Sequence, residues 1–167
     1  MPNRTLILNH IQIEQKINRI AYQIYENNFE EKEIIVAGIF DNGYVLAERI
    51  VKVLKKISPL KINLVKLKLN KKKPLSEPVQ SGLSEKDINN KVIILVDDVL
   101  NSGVTMMYGV KYFLNFPGKK IRTVILVDRS HHTLPIKVDY VGLTLATTLK
   151  EHISVELKDG KDAVYLI

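Results

Sequence analysis

The sequence contains no cysteine and no tryptophan. The first absence excludes disulfides and thiolate-held metals, and it fits a reducing compartment. No apolar run approaches the length needed to cross a bilayer. The opening MPNRTLILNH also lacks a secretory apolar core, so a cytoplasmic protein without membrane attachment is expected. Several signatures of nucleotide binding and catalysis are missing too. No GxGxxG opens a helix, and Gly38 to Gly43 has Walker-like spacing but Tyr44-Val45 where Lys and Ser/Thr are needed. No nucleophile elbow supports a Ser–His–Asp triad. The adjacent His131-His132 pair lacks the further ligands of a transition-metal site.

What remains is an ordinary soluble composition, 46% hydrophobic and 26% charged over 167 residues, which predicts one domain spanning 1–167. Lys and Arg exceed Asp and Glu by 25 to 18, for a formal charge of +7. That excess serves solubility, and it also favours phosphate-rich ligands or RNA. Lys66, Lys68, Lys71, Lys72 and Lys73 concentrate it in one segment. No aromatic platform interleaves with them, which argues against a dedicated single-stranded RNA surface.

Ile13, Ile17, Ile20, Ala21 and Ile24 recur at helical spacing and predict a helix over about 11–27. The apolar run 34–39 predicts a buried strand. After the turn signal Asp41-Asn42-Gly43, Leu46, Ile50, Val53 and Leu54 mark the inner face of a second helix. Residues 62–69 read as a strand with Lys66 and Lys68 on its wetter face. Residues 70–90 lack periodicity and predict a long binding or closing loop. Further strands are expected at 92–96, 121–127, 140–141, 153–157 and 163–167. A helix using Met106, Met107, Val110 and Phe113-Leu114 is expected to end at Pro117-Gly118. Alternating helices and continuous apolar strands imply an α/β fold with a mostly parallel central sheet covered on both faces. Ligands of such sheets bind beyond the carboxyl ends of the strands, where Asp41-Asn42, Asp97-Asp98 and Asp128-Arg129 all fall.

The segment VIILVDDVLNSGVT, residues 92–105, carries the most chemistry. An apolar strand runs into two carboxylates and then into a small-residue turn that opens a helix. Both acids are expected on an exposed rim, since the strand ends there. Carboxylates in such a place hold sugar hydroxyls or magnesium. The backbone N–H groups of the turn Asn101, Ser102, Gly103, Val104 and Thr105 hold a phosphate, and Gly103 lets the anion approach closely. The plainer alternatives are that the acids serve the turn or cap the helix, and that Ser102 is an ordinary N-cap.

The stretch IILVDDVLNSGVT resembles the phosphoribosyl-diphosphate signature of type I phosphoribosyltransferases. VDRSHHTLPIKVDYVG, residues 127–142, and VAGIFDNGYVLAERI, residues 36–50, resemble the corresponding parts of one branch, the PyrR pyrimidine operon regulators and uracil phosphoribosyltransferases. The resemblance implies a three-layer fold with a small hood and a flexible hairpin at about 68–86. It gives Asp97 and Asp98 the ribose hydroxyls, with magnesium bound mainly indirectly. Residues 101–105 receive the 5-phosphate, and Asp41, Asn42 and Gly43 form the diphosphate loop. Arg129 and the backbone at Val141 would face the base or the diphosphate. The implied reaction is magnesium-dependent transfer from 5-phosphoribosyl 1-diphosphate to a nucleobase, uracil being the first candidate, in a homodimer.

This chain departs from that branch at several of these places. Asp41-Asn42 stand where Thr-Arg is usual, Val104 where Arg is usual, and Ser130 where Gly is usual. The Tyr-Arg-Asp-Asp pattern of the hairpin is absent, leaving Lys71, Lys72 or Lys73 to supply its positive charge. The alternatives are therefore a catalytically weak, nucleotide-sensing or RNA-binding regulator, and a purine transferase.

Overall fold

The computed structural model describes residues 3–167. A five-stranded sheet forms the centre, with strands β2 (Glu33–Ile39), β3 (Lys61–Leu67), β4 (Val92–Leu100), β5 (Lys120–Asp128) and β6 (Tyr140–Thr144). Their order is β3-β2-β4-β5-β6, and every pairing is parallel. A parallel sheet places all strand carboxyl ends on one edge. Helices α1 (His10–Asn28) and α2 (Asn42–Ile57) cover one face, with Val92, Ile94 and Val96 of β4 in that core. Helix α4 (Val104–Phe113) and the short α3 (Glu85–Ile88) cover the other, where Ile93 and Leu95 point. The alternation along one strand thus feeds two cores, as the continuous apolar runs require.

The five residues that predicted the first helix are all buried. Asn9 starts it with a reciprocal capping box, its side chain accepting from the Gln12 N–H at 2.9 Å while Gln12 accepts from the Asn9 N–H. In α4, Met106 and Phe113 are buried, whereas Leu114 at the C-cap is 70% exposed, contrary to the expected inner face.

A second sheet forms the hood. It joins β1 (Thr5–Leu8), β8 (Ala163–Leu166) and β7 (Ile153–Glu156) in antiparallel order β1-β8-β7. The α/β architecture with a mostly parallel sheet and a small hood is therefore observed. No helix among the described residues is long and apolar enough to cross a membrane.

One boundary changes the site. The expected strand 92–96 continues to Leu100, so both acids lie within β4. Val99 and Leu100 still pair in register with Val127 and Asp128 of β5.

Candidate active site

Because β2, β4 and β5 are neighbours, their carboxyl ends bring Asp41-Asn42, Asp97-Asp98 and Asp128-Arg129 to one edge. Asn42 opens α2 and donates from Nδ2 to Asp98 Oδ2 at 3.2 Å and to the Val155 carbonyl of β7 at 2.9 Å. A single amide thus ties the loop after β2, the second acid and the hood together. Asp41 adopts φ 77°, ψ −131° and makes no side-chain cap to α2. A non-glycine residue held there is strained, and such strain persists only when its surroundings enforce it. The Phe40 N–H supplies one restraint by donating to the Leu67 carbonyl at 2.9 Å.

The two acids have different environments. Asp98 is half-buried, and its Oδ1 accepts from the Val99 N–H at 2.9 Å. Asp97 is only 3% exposed, so the expected exposed rim is wrong for this residue. The reason is the longer strand together with the close approach of α2. A Cβ on Gly43 would lie 2.8 Å from Asp97 Oδ1 and 2.9 Å from the Val96 carbonyl. Gly43 is therefore needed to pack the start of α2 onto β4. Burial, reinforced by the neighbouring Asp98 charge, pushes the Asp97 carboxyl up to about 8, against a smaller opposing pull from Lys71.

Lys71 is the lysine that reaches the acids. Its Nζ donates to Asp97 Oδ1 at 3.2 Å, and the same oxygen accepts from the Asp98 N–H at 2.9 Å. Lys71 comes from the long segment after β3, whose base is closed by reciprocal bonds between Lys68 and Gln80 at 2.8 and 3.0 Å. Asn70 Oδ1 accepts from the Lys72 and Lys73 N–H groups at 3.1 and 2.9 Å, folding a tight turn around Lys71. Ser81 Oγ and the Tyr112 hydroxyl, 2.7 Å apart, pin the far side of the segment to α4. A cleft of about 560 Å³ opens beside it, lined by Phe40, Lys68, Leu69, Glu77, Pro78 and Gln80.

The turn after β4 leads directly into α4, with Gly103 as N-cap at φ 89°, ψ −2°. Ser102 Oγ accepts from the Val104 N–H at 3.3 Å, and no side chain caps the helix from the N-cap position. The first-turn N–H groups of Thr105 and Met106 have no carbonyl partner within the helix, the arrangement in which a helix N-terminus attracts anions. Gly103 itself faces protein. A Cβ there would lie 2.8 Å from Ile136 Cγ2, so the space above this glycine belongs to the segment after β5. The Thr133 and Leu134 N–H groups donate to the Ser102 carbonyl at 2.8 and 3.1 Å, clamping the turn from the same side.

Two expected contributors are engaged by other protein groups. Arg129 is 7% exposed and donates from Nε to Thr147 Oγ1 at 2.7 Å and from Nη2 to the Thr148 carbonyl at 2.9 Å. Its guanidinium holds the segment between β6 and β7, with His131 alongside at 2.8 Å from the Thr147 carbonyl. Thr147 and Thr148 had no signal in the sequence, since a long-range partner of a buried arginine has no local pattern. Val141 lies inside β6, and its carbonyl and that of Gly142 accept from Arg19 of α1 at 3.1 and 2.9 Å. Val141 stands level with Asp97 across the sheet, two strands away through Ile125 of β5. No group of three or more potential ligands that could hold a metal ion occurs among the described residues. His132 instead meets Asp128 Oδ1 at 2.8 Å.

Comparison with known proteins follows this geometry. Residues 3–159 match the family described as the phosphoribosyl transferase domain. The bifunctional protein PyrR of Streptococcus pneumoniae (strain CGSP14) is 35% identical over 162 residues, covering 93% of this chain and 91% of that protein. Among solved structures, a hypoxanthine-guanine phosphoribosyltransferase from Bacillus anthracis superposes with a TM-score of 0.70 at 20% identity, covering 86% of this chain and 84% of that one. A hypoxanthine phosphoribosyltransferase from Trypanosoma cruzi, complexed with the product IMP, gives 0.75 at 13% identity, covering 85% and 72%. The structural likenesses speak for the fold, and the sequence likeness speaks for the lineage. The match over residues 3–159 and the likeness to PyrR, on a chain whose β4 carries two acids ahead of a helix-opening turn, show that it belongs to the type I phosphoribosyltransferase family alongside the PyrR proteins.

Proposed function

We propose that the protein transfers a phosphoribosyl group from 5-phosphoribosyl 1-diphosphate to a nucleobase, uracil first among the candidates, and releases diphosphate. The observation that carries this reading is the pair Asp97-Asp98 directly ahead of the α4 turn, with both acids anchored by backbone N–H groups. In this reading the carboxylates accept from the ribose 2- and 3-hydroxyls, and residues 101–105 hold the 5-phosphate. Asp41, Asn42 and Gly43 border the diphosphate. Arg129 acts through Thr147 and Thr148, fixing the segment beneath the hood on the base side.

The donor set fits magnesium as a partner. Asp97, beside Asp98, already draws the Lys71 ammonium to 3.2 Å, which marks a cation position. The two carboxylates are too few for an all-protein cage, so most ligands would be sugar and diphosphate oxygens. When bound, the ion would neutralise charge developing on the leaving diphosphate. The chain's own task is to align the sugar with the base nitrogen that attacks C1 and to exclude water beneath the 68–86 segment. A homodimer in the cytoplasm is the setting we expect for this chemistry.

Incubating the protein with 5-phosphoribosyl 1-diphosphate, magnesium and uracil, hypoxanthine or guanine tests the proposal. Diphosphate release with one base is expected, and none with any base overturns it. The second reading is a nucleotide-binding regulator with little turnover, favoured by a diphosphate loop that carries Asp41 and a fully engaged Asn42 in place of a free cation. It predicts nucleotide binding without diphosphate release, together with salt-dependent RNA affinity.

A further inference from the structure

Asp97 is enclosed on one side by the start of α2, where only a glycine fits, and met on the other by a single cation, Lys71. The two partners differ sharply in exposure. The Asp97 side chain is 4% exposed and the Lys71 side chain 40%, so the ammonium reaches in from solvent on a tether. That tether is a turn held by Asn70, on a segment fastened at Lys68–Gln80 and Ser81–Tyr112 but making no side-chain bond of its own to β4 except through Lys71. The neighbouring Lys72 and Lys73 are exposed and make no ion pair among the described residues.

Resting on the function proposed above, we infer that Lys71 is an internal competitor of the substrate: a tethered ammonium that occupies the cation side of Asp97 until a ribose phosphate with its divalent ion displaces it. Burial favours the protonated form of Asp97, and Lys71 is the cation that lowers the cost of its ionised form. The free protein therefore holds the Lys71 turn against Asp97, and ligand binding exchanges one cation for another while freeing Lys71 from Asp97 beneath the covering segment. Departure of Lys71 from Asp97 is thereby coupled to filling of the sugar site, since both compete for one oxygen. A ligand acting in this way shifts the equilibrium only by its differential affinity for the state in which Lys71 has left Asp97.

The test uses ribose 5-phosphate with magnesium, a probe that carries the sugar and 5-phosphate but no leaving group. Lys71→Met is expected to bind it about two- to fivefold more tightly than the parent protein, the range of a partly exposed ion pair removed as a competitor. Lys71→Arg keeps the charge and is expected to bind it as the parent does. Amide exchange on the ligand-free proteins gives a second readout. Lys71→Met and Asp97→Asn should both accelerate exchange over 69–76 while the Lys68 and Gln80 amides stay protected. Binding that is unchanged or weaker in Lys71→Met, or exchange that neither variant alters, overturns the competition alone. Failure of ribose 5-phosphate to bind either protein overturns the proposed function and the competition with it.

Discussion

Replacing Asp97 by asparagine should make the ligand-free protein more stable while removing its affinity for a phosphoribosyl ligand. The carboxyl is 3% exposed, and its pKa moves from 3.8 to about 8 on folding, chiefly through burial and then through Asp98. A group that holds its proton more tightly when folded contributes its full share below the unfolded value. That share is lost as pH rises through the folded value. Each pH unit in that interval costs about 1.4 kcal/mol, so the ceiling near pH 7 is about 4 kcal/mol. Asparagine removes this cost but forfeits the charge-assisted bond from Lys71, and the net gain should be about 1–2 kcal/mol. For a chain of this size that is a rise in Tm of about 3–7 °C. Thermal unfolding of parent and variant from about pH 4 to 8.5 is the assay. The curves should coincide near pH 4, separate in favour of the variant as pH rises, and stop diverging above about pH 8. A variant less stable near pH 7, or a gap that does not change with pH, would refute the argument that burial dominates at Asp97. Titration with 5-phosphoribosyl 1-diphosphate should meanwhile show binding lost in the variant, the usual opposition between stability and function at a site.

Other substitutions test the surrounding frame. Gly43→Ala forces a Cβ to within 2.8 Å of Asp97 Oδ1 and should cost about 1–3 kcal/mol by denaturant midpoint, with Asp97→Asn failing to restore it because the Val96 carbonyl also blocks the space. Gly103→Ala should destabilise by about 1–3 kcal/mol through its positive φ and the contact with Ile136; pairing it with Ile136→Ala should recover only the steric part, as thermal unfolding would show. Arg129→Met leaves Thr147 and the Thr148 carbonyl without their donor and should cost about 1–3 kcal/mol, with faster amide exchange in residues 145–150. Asn42→Arg should weaken the hood rather than improve diphosphate affinity, since it removes the bond to Val155; calorimetric titration with diphosphate decides.

The central strands and the long helices were legible because their signal is local. Ile34 to Ile39 and Val92 to Val96 are apolar without interruption because both faces of the sheet are covered, and the α1 isoleucines repeat at the period of the helix that buries them. β1 escaped notice since only Leu8 of its four residues is buried, and α3 is a single turn whose capping box lies inside an irregular stretch. The extension of β4 through Asp97 and Asp98 was hidden by their polarity, which reads as a strand end. In the site, the motif located the acids and the turn, but not their partners. Lys71 and Asp97 are 26 residues apart and Arg129 and Thr147 are 18 apart, and no periodicity connects such pairs. The tie between Arg19 and the Val141 carbonyl is equally non-local, and it claims a backbone group that the family resemblance had given to the ligand.

The hood draws on distant parts of the chain, for Thr5 pairs with Leu166 and Val155 with Val164. The parallel sheet is built from residues 33–144, whereas the hood must join β1 to strands that follow that whole stretch. Pairing β1 with β8 closes a loop of more than 150 residues and is slow for that reason. Asn42 gains its bond to the Val155 carbonyl only at that point. The paired acids on β4 therefore precede the finished pocket in folding, and the pocket is completed only when the hood closes over Asn42.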